Sequence, residues 1–284
     1  MHQNDFILTL SCPDRKGIVH RVTGVLLVHD GNIIDAQQFG DEETGRFFLR
    51  VHFSLPEGHD VNLLKNDFAK VGEEFEMQWQ VHDAHRKARL LIMVSRQGHC
   101  LNDLLFRIRS GQLAAEAVAI VSNHRDFEGM ANAYGIPFHY LPVTPETKTQ
   151  QEEALLEIVE REKIDLVVLA RYMQILSESL CRRLQGRAIN IHHSFLPSFK
   201  GARPYYQAHA RGVKIIGATA HYVTPDLDEG PIIEQDIERV DHSMSAKALT
   251  QVGSDIESLV LARAVRAHIE HRVLINGNRT VVFR

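Results

Sequence analysis

Two unbroken apolar runs, Leu90-Leu91-Ile92-Met93-Val94 and Leu166-Val167-Val168-Leu169, restrict the fold of this chain more than any other feature. A strand with one solvated face alternates apolar and polar residues, because successive side chains point to opposite faces. A run without alternation fits a strand covered on both faces, the situation inside a parallel sheet. Around these runs the apolar spacing turns helical. Leu101, Leu104, Leu105 and Ile108 share one face, and Leu155, Leu156, Ile158 and Val159 share another within a helix predicted over 145–163. Short strands are expected over 114–121 and 137–141, with a helix over 127–134 stopped by Gly135. Strand and helix in alternation predict a doubly wound, mostly parallel α/β sheet. Further on, strands are expected over 214–223 and from Ile232, a helix over 255–271, and a hairpin over 273–283 that turns at Asn276-Gly277-Asn278.

The segment before Leu90 has a different rhythm. Phe6 to Leu10 reads as a strand, and Ile18, Val19, Val22, Val25 and Leu26 as a helical face stopped near Gly31. A strand over 32–39 follows. Phe47, Leu49, Val51 and Phe53 then alternate strictly, Val61, Leu64, Phe68 and Val71 return to helical spacing, and a short strand carries Trp79. The order βαββαβ predicts a four-stranded antiparallel sheet with two helices on one face. The polar stretch 82–87 marks the boundary, so 1–85 is expected as an α+β domain and 86–284 as the larger domain.

At 284 residues the chain is long for one core, and two domains fit better. A net charge of −4 offers no basic footprint for nucleic acid. Cys12, Cys100 and Cys181 are odd in number and scattered, which suits reduced thiols and a cytoplasmic setting. Neither a signal-peptide pattern nor an apolar run of membrane-spanning length is expected to tie the chain to a membrane. With 17 histidines, one that matters must be found through its neighbours.

Asn190-Ile191-His192-His193 is where neighbours speak. On a strand, Asn190 and His192 share a face while Ile191 and His193 point away. A carboxamide beside an imidazole suits an acyl group that gathers negative charge on oxygen while a proton moves. The turn 224–231 holds Asp226, Asp228 and Glu229, any of which could raise the basicity of that imidazole if the loops converge. The bland readings are a structural Asn-x-His before a proline loop and a solvated acidic turn. His209, His221 and His242 lack metal-ligand spacing, so no metal is expected. The loop 95–100 has one glycine and no phosphate-cradling pattern. The apolar loop 171–177 could wall a pocket for a flat heterocycle or simply pack.

Two motifs carry a resemblance. Asn190-Ile191-His192-x-Ser194-x-Leu196-Pro197-x-Phe199-x-Gly201, with His221-x-Val223-x(4)-Asp228-x-Gly230-Pro231, resembles the formyltransferase-fold family that acts on 10-formyltetrahydrofolate. Leu169-Ala170-x-x-Met173-x-Ile175-Leu176 matches as well, and the likeness spans roughly 89–270. It implies Asn190, His192 and Asp228 as the catalytic trio. It also implies folate binding by Met173, Gln174, Ile175, Leu176, Val223, Thr224, Pro225 and Asp226. The front domain, with Asp14-Arg15-Lys16-Gly17-Ile18 after its first strand, resembles an ACT domain, a module that usually pairs with itself. That implies a homo-oligomer and an amino-acid effector, glycine or methionine, near Gly17 and Asn32, although a purely dimerising module fits the same pattern.

One departure matters. Where the glycinamide ribonucleotide transformylases of this family carry a Gly-Asn-Gly-Ser-Asn-like phosphate loop, this chain has Arg96-Gln97-Gly98-His99-Cys100. With the amine acceptor's anchor gone, the acceptor is expected to be water. The ACT-like front, His192-His193 and Ala202-Arg203-Pro204-Tyr205 resemble the formyltetrahydrofolate deformylases. The expectation is hydrolysis of 10-formyltetrahydrofolate, a substrate rather than a cofactor, to formate and tetrahydrofolate, with no cofactor, serving one-carbon metabolism and purine biosynthesis. The rivals are a formyltransferase to an amine acceptor, a metallohydrolase and a non-catalytic folate sensor.

Overall fold

The computed structural model describes residues 4–196 and 204–284, which divide into two compact units. The first comprises Met1–Arg86, Glu270–Asn276 and Val281–Arg284, and the second Lys87–Ile269 and Gly277–Thr280. The division thus falls one residue beyond the expected boundary, and much of the expected terminal hairpin groups with the front unit rather than with 86–284.

In the front unit the elements are β1 (Asn4–Pro13), α1 (Ile18–Val28), β2 (Asn32–Asp41), β3 (Arg46–Leu55), α2 (Val61–Glu74) and β4 (Gln78–Asp83). The strands form an antiparallel sheet in the order β2-β3-β1-β4. Phe6, Leu8, Leu10 and Cys12 of β1 and Phe47, Leu49, Val51 and Phe53 of β3 face Ile18, Val22 and Leu26 of α1 and Leu64, Phe68 and Val71 of α2. Each such side chain, fully buried, stabilises by about 1.5–3 kcal/mol before entropy is counted. The opposite face is not bare. Asp5, Ile7, Phe48 and Arg50 are buried there, and residues from beyond 269 supply partners. Arg50 Nη2 donates to the Glu270 carbonyl at 3.1 Å, Asn276 Nδ2 to Asp41 Oδ2 at 2.6 Å, and the His82 and His271 rings stack with centroids 3.5 Å apart.

The back unit runs β5 (Ala88–Val94), α3 (His99–Arg109), β6 (Ala115–Ser122), α4 (Glu128–Tyr134), β7 (Phe138–Tyr140), α5 (Lys148–Arg161), β8 (Leu166–Leu169), α6 (Glu178–Arg183), β9 (Ala188–His192), α7 (Pro204–Ala210), β10 (Ile215–Tyr222), β11 (Ile232–Arg239) and α8 (Ala246–Ile269). A two-stranded hairpin, β12 (Val273–Asn276) and β13 (Arg279–Val282), follows. The seven-stranded sheet has the order β11-β10-β9-β8-β5-β6-β7, with β5 to β9 parallel and β10 and β11 antiparallel. Residues 90–94 are all 0% exposed, as their unbroken apolar run requires. From β5 the chain winds outward through β6 and β7, then crosses back to β8 on the other side. The strand order therefore reverses between β5 and β8, and a crevice forms at their carboxyl ends.

Helix α8 begins at Ala246, not at the expected 255. Gly253, a poor helix former, lies inside it. The glycine is a packing necessity: a Cβ there would lie 2.1 Å from Cζ of Tyr205.

Candidate active site

Sequence places Asn190 and His192 on one face of β9, and strand pairing completes the group. In the antiparallel pair β9–β10, His221 stands opposite Asn190 and Thr219 opposite His192. Asn190 Nδ2 lies 3.3 Å from His221 Nε2, while His221 Nδ1 lies 2.9 Å from the Tyr222 carbonyl. The carbonyl can only accept, so Nδ1 of His221 carries a proton.

Asp228 arrives from the loop after β10. That loop doubles back because residue 230 has no side chain: a Cβ on Gly230 would sit 1.7 Å from the Tyr222 carbonyl oxygen. The Tyr222 amide then donates to the Pro231 carbonyl at 2.9 Å. Asp228 itself adopts φ 57°, a left-handed conformation that aspartate tolerates better than most residues. Its Oδ2 lies 3.3 Å from His192 Nδ1, and its Oδ1 3.7 Å from His221 Nε2. Burial pushes this carboxyl up, but hydrogen bonds from His192 and His221, with their charges, outweigh it and hold Asp228 well below the ordinary carboxylate range. It is an anion at any working pH. His192 Nε2 is buried with no hydrogen-bond partner among the described residues. With Nδ1 on the carboxylate, Nε2 is the atom left for chemistry.

These groups border a cavity of about 260 Å³, whose lining also includes Met173, Gln174, Ile175, Leu176, Val223, Thr224, Pro225 and Leu227. Seven of the eight expected folate contacts are thus in the wall. Asp226 is not; Leu227 lines the cavity in its place, because the turn reaches it with the next residue. His193 also departs from expectation. The strand stops at His192 and the chain bends, so alternation no longer applies, and the two rings stack with centroids 4.9 Å apart and planes 19° apart. The motif residues Pro197, Ser198, Phe199, Lys200, Gly201, Ala202 and Arg203 lie outside the described residues.

A second cavity of about 380 Å³ adjoins the first. Its lining includes Gln97, Arg171, His193, Tyr205 and Glu257, and Arg171 and His193 line both. His99, Cys100 and Glu257 are the one group among the described residues whose donor atoms could converge on an ion, within 4.8 Å. They suit one poorly. Glu257 is already engaged by His99, Tyr205 and Arg171, and burial pushes the Cys100 thiol far up. Of the expected effector residues, Gly17 is the left-handed N-cap of α1 at φ 95°, and Asn32 opens the edge strand β2, exposed.

His221 was missed in the sequence as a member of the site. It stands in the second motif, but only the β9–β10 register, with its irregularity at Ala220/His221, sets it against Asn190.

A mostly parallel sheet with Asn190, His192 and Asp228 gathered beside one cavity defines the class. A formyl transferase family model matches residues 88–265, and an ACT domain model residues 6–67. A formyltetrahydrofolate deformylase from Corynebacterium sp. (strain P-1) is 50% identical over 279 residues, 98% of each chain. The crystal structure of a formyltetrahydrofolate deformylase from Burkholderia mallei superposes with a TM-score of 0.96 at 53% identity, covering 99% of this chain and 100% of that one. Glycinamide ribonucleotide transformylase 1 from Symbiobacterium toebii matches less fully, with a TM-score of 0.66 at 28% identity over 72% of this chain and 97% of its own. The chain belongs to the formyltetrahydrofolate deformylase family.

Proposed function

We propose that this protein hydrolyses 10-formyltetrahydrofolate to formate and tetrahydrofolate. The observation that carries the reading is the convergence of Asn190, His192 and Asp228 on one cavity whose remaining wall is largely apolar. The pterin fits that wall, with the formyl group toward Asn190. Water attacks the formyl carbon and a C–O bond forms. The Asn190 amide supplies an N–H for the developing oxyanion. Asp228, held so far down in pKa, is a weak base. Its part is to orient and charge-balance His192, whose Nε2 takes the proton from water and returns it to the arylamine nitrogen. The C–N bond then breaks, releasing formate and tetrahydrofolate.

The proposed chemistry comes from these side chains alone, with no cofactor or metal. In the cell the formate would feed one-carbon metabolism and purine biosynthesis, with the protein cytoplasmic; no helix among the described residues is long and apolar enough to cross a membrane. The ACT unit would pair with a second copy, for which Leu27, Val28, Ile34 and Phe39 offer exposed apolar surface at 73%, 77%, 46% and 46%. It would take glycine or methionine near Gly17 and Asn32. The test is direct. Purified protein, pre-treated with a chelator, is mixed with 10-formyltetrahydrofolate, with and without glycinamide ribonucleotide. Formate should appear at the same rate in both; formylated ribonucleotide, or loss of activity with the chelator, would overturn the reading.

A further inference from the structure

The two cavities of the back unit are separated by side chains that line both: Arg171, Met173, Gln174 and His193. The polar half of this wall is built, not incidental. Arg171 is 7% exposed and His193 9% exposed. Arg171 Nε and Nη2 both donate to Gln97 Oε1, at 2.9 and 2.5 Å, and Nη1 lies 2.6 Å from His193 Nδ1. Its Nε also lies 3.3 Å from Glu257 Oε2. Glu257 is itself 1% exposed and held on its other sides by His99 at 2.7 Å and the Tyr205 hydroxyl at 2.6 Å. Arg171 stands at φ 64°, and its carbonyl accepts from the Ser95 amide at 3.2 Å, so the guanidinium is braced from the backbone outward.

With the formyl group between Asn190 and His192, as proposed above, it lies in the cavity that Arg171 and His193 also line. A nucleophile coming from the second cavity meets those same two side chains. The second cavity has room for more than water, and Arg171, Gln97 and Glu257 are turned to one another rather than to an incoming amine.

We propose that the Arg171–His193 wall, braced by Gln97 and Glu257, reserves the formyl group for water by keeping primary amines from the formyl carbon. This rests on the reading that the formyl group lies between Asn190 and His192. Were an amine admitted, its nitrogen would bond to the formyl carbon, the folate C–N bond would break, and the amine's proton would pass to the arylamine nitrogen. The products would be an N-formyl amine and tetrahydrofolate, in place of formate and tetrahydrofolate.

The experiment measures how the formyl group partitions. Enzyme and 10-formyltetrahydrofolate are incubated with glycinamide, and formate and N-formylglycinamide are quantified against an enzyme-free control. Formate release by the wild type without glycinamide tests the underlying reading separately. The wild type should give no N-formylglycinamide above the control. Arg171→Ala should raise the ratio of N-formylglycinamide to formate about tenfold or more, the scale on which a pocket's shape discriminates. Gln97→Ala, which frees two guanidinium nitrogens, should raise it less. Thr250→Ala, in the lining of the second cavity but with its hydroxyl donated to the Ala246 carbonyl rather than to the wall, should keep the wild-type ratio. Both products come from the same bound formyl group, so partial loss of folded enzyme does not move the ratio, and Gln97→Ala decides should Arg171→Ala fail to fold. An unchanged ratio in the folded variants, or N-formylglycinamide from the wild type, overturns the proposal.

Discussion

His82 of the front unit and His192 of the back unit stand in opposite surroundings. In the front unit His82 stacks on His271 and no carboxylate offsets its burial. Desolvation, then the charges of Lys65 and Arg86, lowers its pKa to about 4. In the back unit His192 and His221 share the carboxylate of Asp228. His82 serves as a flat packing piece against His271, and His192 sits against a carboxylate, as the proposed proton transfer requires. The residue is the same; the partner within about 4 Å decides its use.

The largest expected break in this contrast comes from His192→Ala. Formate release should fall by about 10²–10⁴ in kcat/KM, the span of general acid-base help. A change of less than a few fold would mean that the imidazole handles no proton. Next comes His221→Phe, which removes one of the two imidazoles beside Asp228 and the partner of Asn190. A loss of up to about 10² is expected from misplacement alone. The sharper readout is the carboxyl itself, followed by carbon NMR: without that imidazole Asp228 should titrate closer to the ordinary carboxylate value. An unshifted titration would make His221 a mere filler.

The smallest effect lies in the front unit. His82 titrates at about 4 when folded against about 6.5 when unfolded. The unfolded chain therefore binds more protons between those values, so the contribution is full above about 6.5 and drains away as pH falls toward about 4. Asp228 has its folded value lowered too, but as an acid its contribution persists above about 3.9 and is lost only as pH falls through its folded value. Melting curves of the His82→Phe variant should thus show a flatter fall in Tm between those pH values than the wild type, with formate release unaltered. Parallel curves would show that His82 is not the acid-sensitive group.

Much of this was legible in the residues. Leu90 to Val94 and Leu166 to Leu169 announced buried parallel strands because lack of alternation has a single physical meaning at that length. Asn190 and His192 were legible as a pair because a strand's period is two. His193 was misread by the same rule, since nothing local says that the strand ends at His192. The start of α8 was hidden because Gly253 looks like a break until Tyr205 is set against it. Leu227 in place of Asp226 is a matter of one residue in a turn, and turns answer to closures such as Tyr222 to Pro231 that no spacing reveals. The polar wall was the least visible. Gln97, Arg171, His193 and Glu257 lie far apart in the chain and share no motif.

The front unit's sheet is clad on its second face by Glu270–Asn276 and Val281–Arg284. A ribosome makes β1 to β4 first, yet the residues that accept from Arg50, donate to Asp41 and stack on His82 emerge only after the entire back unit has been synthesised. For that interval the earliest-made sheet is the least finished part of the chain, with Arg50 and Asp41 still lacking those partners. The order of translation and the order of completion run in opposite directions, so a fragment ending at Arg86 should capture the nascent module and not the mature one.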